Sequence, residues 1–218
     1  AAYRPRKELR EVPVDPASTA LLVIDVQNYT CHKRGALVQT VGELSTYFWE
    51  RLSNVTIPSI AKLQSGCREC GVEVIFTVIE SMTQNCRDNS LDYRISGLHV
   101  PRGCWDSKVL EDIKPHGDEI VFGKTSSSVF VSTNIDYVLR NMGINQLLIC
   151  GGLTDQCIES AVRDACDLGY LVTLLSDCCI THSKDRHENA IDSIKGYCRT
   201  RSCDEILQEF EKATRGKT

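Results

Sequence analysis

The sequence predicts an α/β fold: a three-layer α/β/α arrangement of a mainly parallel, Rossmann-like sheet with helices on both faces. Three observations predict it. Short apolar runs recur without the polar alternation of a half-exposed strand, as strands buried on both faces require. Segments with apolar residues at helical spacing separate these runs. Several runs end in a charged residue, at the edge where open α/β sheets gather their ligands. A length of 218 residues suits one such domain over residues 1–218, with 1–16 as an N-terminal extension. No Pro/Gly/Ser-rich linker and no internal repeat divides it.

The first run, Thr19 to Asn28, is apolar up to Asp25 and reads as a central strand with a carboxylate at its C-terminal end. An acid between Ile24 and Val26 is costly unless partnered, so Asp25 is a candidate site residue; capping a turn is its plainer role. Tyr29 to Val41 reads as loop. Helical patterning runs from about Glu43 to Ser65, with Pro58 implying a break or kink. Val72 to Ile79 is the second strand, and Glu80 at its edge could face the same pocket as Asp25 or be a solvated loop acid.

Ser81 to Trp105 is polar and irregular, the kind of long connection that often forms a functional loop. Within it Arg87 and Arg94 could orient a carboxylate or carbonyl oxygen, or be plain surface charges. Asp118 to Lys124 is a short strand ending in a lysine, followed by the polar loop Thr125–Ser128 and an apolar plug, Val129-Phe130. A helix begins at Thr133 or Asn134 and stops at Gly143. Beyond the segment described next, Tyr170 to Ser176 is a further strand with Asp177-Cys178-Cys179 at its edge. A helix through Arg186 and His187 then ends near Gly196, and a last one spans about Ser202 to Lys212.

The stretch from Gln146 to Ser160 carries the strongest signal. An apolar strand runs to Cys150, Gly151-Gly152 permits a sharp turn, and Thr154 or Asp155 offers an N-cap to a helix with Ile158, Ala161, Val162 and Ala165 on one face. Cys157 falls in the first turn of that helix, where the helix dipole favours thiolate and free backbone N–H groups could stabilise an oxyanion. Strand, tight turn, nucleophile and helix make a nucleophile elbow with cysteine in the reactive position. The plainer reading is a buried structural thiol.

Composition narrows the classes. A net charge of −4 without a basic run gives no footprint for nucleic acid, and no apolar stretch is long enough to span a bilayer. The start, Ala1 to Lys7, has no apolar signal core and no Met, so removal of some N-terminal residues is expected. Twelve cysteines are many. A chain this large with this much buried-strand pattern does not need a disulfide framework, so reduced thiols in a cytoplasmic protein are expected. Cys67-Arg68-Glu69-Cys70 is a single C-x-x-C without a second pair at zinc-ribbon spacing; a redox or metal role for it stays open beside a structural one.

Asp25, Lys124 and Cys157 thus arrive at one sheet edge, and their contexts resemble the isochorismatase-like cysteine hydrolases. The match lies in "ALLVIDVQN" (Ala20 to Asn28), "FGKTSSSVF" (Phe122 to Phe130) and "GGLTDQCIESAVRD" (Gly151 to Asp164), and the resemblance covers about residues 17–210. It implies an Asp25–Lys124–Cys157 triad. Asp25 exchanges protons with the thiol, Lys124 between them favours thiolate, and Cys157 forms a thioester acyl-enzyme. It also implies an oxyanion hole from the backbone N–H groups of Leu153 and Cys157, a cis peptide at Gly152–Leu153, and a dimer or tetramer of identical chains. Substrate contacts are expected from Gln27, Tyr29, Glu80, Trp105, Ser128 and Phe130.

Departures from subfamily patterns narrow the chemistry. Nicotinamidases carry an Asp-x-His metal pair after the second strand; here that region reads Glu80-Ser81-Met82-Thr83-Gln84, so neither a catalytic metal nor another cofactor is expected. Vinyl-ether-cleaving isochorismatases have a small residue at the cysteine position, so Cys157 argues for C–N cleavage. Trp105, Ser128, Phe130 and "STNID" (Ser132 to Asp136) look most like the ureidoacrylate and N-carbamoyl amidohydrolase branch. Hydrolysis of an amide or ureido bond in a small molecule is the expected activity. The alternatives are isochorismate hydrolysis, since some such proteins retain the cysteine, and a catalytically silent binding or redox protein on the same fold.

Overall fold

The computed structural model describes residues 7–41 and 44–215. The first six residues of the expected extension, and Glu43 at the expected helix start, lie outside that range. The chain runs β1 (Thr19–Ile24), α1 (Asn28–Cys31), α2 (Ala36–Val41), α3 (Thr46–Arg51), a π turn (Leu52–Thr56), α4 (Ile57–Glu69) and β2 (Glu73–Ile79). It continues through α5 (Leu91–Ile95), β3 (Val121–Lys124), α6 (Val129–Ser132), α7 (Ile135–Asn141) and β4 (Gln146–Gly152). A second π turn (Thr154–Ile158), α8 (Glu159–Asp167), β5 (Leu171–Ile180), α9 (Lys184–Ile194), β6 (Arg199–Arg201) and α10 (Cys203–Arg215) complete it.

The six strands form one parallel sheet in the order β3-β2-β1-β4-β5-β6. The chain starts at the centre, builds outward to β3, then returns to place β4 on the other side of β1. The β1–β4 crevice is therefore a topological switch point, and connections diverge from it to leave a cleft at the C-terminal ends of the strands. β1 is buried along its whole length, which explains its unbroken apolar run.

Four local differences from the sequence reading have physical causes. Tyr29 to Val41, expected as loop, carries α1 and α2, whose short lengths hide helical periodicity. The irregularity expected at Pro58 falls just before it: the helical stretch passes through the π turn Leu52–Thr56, and Pro58 sits in the first turn of α4. Asp177-Cys178-Cys179 lies within β5, not after it; β4 advances from Ile149 to Gly151 while β5 advances from Leu174 to Cys179, so the intervening residues bulge. The carbonyls of Ser176 and Cys179, at this bulge, accept from the Arg51 guanidinium. Finally, β6 is a short edge strand, Arg-Thr-Arg, with no apolar signal to announce it. None of the twelve cysteines is disulfide-bonded, and no helix among the described residues is long and apolar enough to cross a membrane.

Candidate active site

Three strand ends deliver the central side chains. Asp25 follows β1 with φ of 54°, a left-handed conformation that is uncommon for a non-glycine residue. It is held by its N–H donating to Thr77 O (3.0 Å) and by Thr30 Oγ1 donating to Asp25 O (3.3 Å). Thr77 Oγ1 donates to Asp25 Oδ1 at 2.8 Å, fixing the carboxylate from the neighbouring strand. Cys157 lies in the π turn after β4. Lys124 ends β3, two strands from β1, at a separation of about 10 Å that only a long side chain can cross.

β4 and β1 meet with almost no space between them. Gly151 has φ of 118°, and a Cβ there would lie 2.0 Å from Ile24 O. Only glycine fits. The next peptide, Gly152–Leu153, is cis, as the family resemblance implied.

The Lys124 ammonium is fully buried. Nζ lies within hydrogen-bonding distance of Tyr93 Oη (2.8 Å), Ser126 O (2.9 Å) and Cys157 Sγ (3.3 Å). It also lies 2.7 Å from Asp25 Oδ2, so the buried amine is ion-paired to the acid as well. Burial disfavours the charge on Lys124, but Asp25, Cys157 and Tyr93 outweigh it and raise its pKa.

The thiol behaves differently from the sequence expectation of a favoured thiolate. Cys157 is only 6% exposed. Burial pushes its pKa up to about 11; Lys124 pulls it down, and the nearby Asp25 carboxylate pushes it up again. Desolvation therefore wins over the lysine, and the resting group at neutral pH is the thiol. Thr154 and Asp155 also do not cap the turn. Thr154 Oγ1 is 2.9 Å from His187 Nδ1, and Asp155 binds Thr181 and Arg186.

A cavity of about 520 Å³ opens onto Cys157 and Asp25. Leu37, Ile79, Leu98 and Leu153 give it apolar wall; Asp92, Ser96, Ser127 and Gln156 give it polar surface. Its size and mixed lining suit a small organic molecule.

Residues 19–203 match the family model of the Isochorismatase domain. The chain belongs to the isochorismatase family. Among the relatives of this family member, ureidoacrylate amidohydrolase RutB of Agrobacterium fabrum is 30% identical over 182 residues, spanning 76% of this chain and 77% of that protein. A crystal structure of a cysteine hydrolase from Pseudomonas syringae pv. phaseolicola superposes with a TM-score of 0.81 at 23% identity, covering 93% of this chain and 96% of that one. N-carbamoylsarcosine amidase from Thermoplasma acidophilum superposes with a TM-score of 0.70 at 24% identity, covering 87% and 98%. At these identities the two structures establish the shared fold.

Within this isochorismatase-family hydrolase, Asp25, Lys124 and Cys157 come together as the sequence predicted. Of the six expected substrate contacts only Tyr29 lines the cavity. The other five are correctly placed in the sheet-edge region but face elsewhere. Gln27 is buried with its amide spent on Ile79 N, Ile79 O and Asp106 O. Glu80 Oε1 accepts from Gly103 N and Ser107 Oγ, both at 2.8 Å, and so ties down the long loop. Trp105 packs outside, against His32 and under Arg34. Ser128 caps α6 through Phe130 N, and Phe130 packs on Tyr170. Arg87 donates to Asn85 Oδ1 on the surface, and neither it nor the exposed Arg94 reaches the cavity wall.

Sequence reasoning missed Tyr93 and Thr77. Tyr93 Oη accepts from Lys124, donates to Ser126 O (2.8 Å) and lies 4.0 Å from Cys157 Sγ. Its signal was faint: Ser90 caps the five-residue α5 within a polar stretch, its Oγ accepting from Tyr93 N. Thr77 is one polar residue in an apolar strand, and only the register Ile24↔Thr77 reveals its role.

Proposed function

We propose that this protein hydrolyses an amide or ureido C–N bond of a small molecule, with Cys157 as nucleophile, Asp25 as proton acceptor and donor, and Lys124 as the cation that holds the two in register. The observation that carries the reading is the buried Asp25 carboxylate at the thiol. A neutral thiol of raised pKa needs a base, and Asp25, ion-paired to Lys124 at 2.7 Å, interacts directly with Cys157. The amidohydrolase and amidase activities that the names of the RutB relative and the Thermoplasma structure carry support the same bond type.

In the first half-reaction Cys157 gives its proton to Asp25 Oδ2 as sulfur attacks the carbonyl carbon. The Lys124 proton directed at Sγ offsets the developing sulfur charge, and the backbone N–H groups of Leu153 and Cys157 receive the oxyanion. Collapse breaks the C–N bond, the nitrogen leaves with the proton held on Asp25, and a thioester remains. Asp25 then takes a proton from water as the hydroxyl adds to the thioester. Expulsion of the sulfur, which recovers that proton, releases the acid. Ammonia release from a panel of ureido compounds and primary amides tests this. Pyruvate from isochorismate with no ammonia from the panel would establish the vinyl-ether reaction instead. An unreactive Cys157 toward iodoacetamide would make the protein a silent binder.

A further inference from the structure

Resting on the hydrolase reading, we propose that the substrate carries no carboxylate beyond the scissile group and that Asp92 at the cavity mouth selects a neutral or cationic one. The charges around the cavity point to this. Among the described residues no arginine lines it, and Lys124, at the site floor, is buried and ion-paired to Asp25, with Tyr93, Ser126 and Cys157 as its other partners. His182 is the remaining basic side chain in the wall; burial, then Arg186, lowers its pKa, so it is uncharged at neutral pH. The other polar side chains in the wall, Tyr29, Thr30, Ser96, Ser127, Gln156 and the neutral His182, bring no positive charge.

Asp92 adds a negative one. It is exposed, lines the cavity and immediately precedes Tyr93, whose hydroxyl touches the site floor. Among the described residues its carboxylate takes part in no hydrogen bond or ion pair, so its charge and its lone pairs face incoming molecules. A carboxylate-bearing substrate would enter against that charge with no guanidinium or ammonium to receive it. An amide, urea or amine N–H at the far end would find an acceptor.

Two probes of one size test the charge directly: iodoacetamide and iodoacetate deliver the same carbon to Cys157, one neutral and one anionic. Asp92→Asn should raise the iodoacetate rate relative to iodoacetamide by about threefold to tenfold, the scale of one like-charge contact at a partly solvated mouth. Asp92→Lys should raise it further, and 0.5 M salt (about 4 Å screening) should shrink both effects. Asp92 is exposed, so neither variant threatens folding. A ratio that ignores both variants overturns the proposal. Turnover is then compared among succinamide, γ-aminobutyramide and succinamate, and among a matching ureido series. Wild-type kcat/KM should be at least tenfold lower for the carboxylate members, and Asp92→Lys should narrow that gap. Preference for a carboxylate member would overturn the substrate class and leave the hydrolase reading intact. Ammonia from no member of either series would overturn the hydrolase reading itself, whatever the alkylation ratio.

Discussion

Lys124 Nζ lies 2.7 Å from Asp25 Oδ2, with both side chains buried. Further hydrogen bonds anchor each partner: the amine on Tyr93 and Ser126, the acid on Thr77. The same ammonium lies 3.3 Å from Cys157 Sγ, so one buried cation touches both the acid and the sulfur.

Replacing Asp25 by Asn should therefore split two properties of Cys157. Turnover should fall by a factor of about 10² to 10⁴, the usual contribution of a general base. The thiol itself should become easier to ionise, because the carboxylate that raises its pKa is gone. Iodoacetamide rates against pH should show a midpoint moved below the wild-type value of about 11. A midpoint that stays or rises would remove Asp25 from the thiol's surroundings.

Lys124→Met should act in the opposite sense on the thiol. Removal of its largest lowering influence should carry the alkylation midpoint above the wild type's. It also strands the Asp25 charge in the interior, at a cost of about 3–5 kcal/mol in urea denaturation. The double variant Asp25→Asn, Lys124→Met has no stranded charge and should recover much of that loss. Simple additivity of the two single variants would argue against their pairing.

Tyr93→Phe removes one acceptor of Lys124 and leaves Ser126 O without its phenolic donor. A buried hydrogen-bonding group left unpaired costs about 1–3 kcal/mol. The urea midpoint should fall accordingly. Ammonia release should drop with KM little changed, because Tyr93 steadies the cation instead of gripping the substrate.

His187 sets an acid limit on stability. The Arg51 guanidinium, which can only donate, lies 2.9 Å from Nε2, so Nδ1 carries the proton and donates to Thr154 Oγ1 in the nucleophile turn. Burial and then Arg51 push the His187 pKa down to about 4, against an ordinary value of 6.5. Above pH 6.5 folded and unfolded chains both hold it neutral. Between 6.5 and about 4 only the unfolded chain takes up the proton, so stability should decline across that window, by about 3 kcal/mol from this group. Urea midpoints at pH 7.5, 6 and 4.5 measure the decline. His187→Gln, whose amide can donate and accept in the same places, should flatten it.

The parts of this molecule readable from the sequence are those where one local feature suffices. β1, β2 and β4 announce themselves as apolar runs, and Gly151-Gly152 before Cys157 marks the turn. Asp25 and Lys124 were readable because they stand at strand ends, and Cys157 because it follows the glycine turn after β4. What escaped depends on partners distant in sequence: Tyr93 and Thr77 matter only through the register that brings them to Lys124 and Asp25. The same limit applies to the thiol's pKa. A cysteine at a helix start reads as activated, and only the packing around Cys157 shows that desolvation prevails. Gln27, Glu80 and Ser128 look like binding groups from their positions, yet each is consumed by neighbouring backbone or loop groups.

The contact between Gly151 and the Ile24 carbonyl sets the tolerance of the whole arrangement. Main chain rests on main chain there, so the spacing of the two strand ends that lead to acid and sulfur is gauged by peptide geometry. Aliphatic residues on either face of the sheet are then free to be exchanged for others of similar bulk without detuning the reaction. A single methyl at residue 151, by contrast, would prise the two strand ends apart, and the damage would reach the chemistry before it reached the fold.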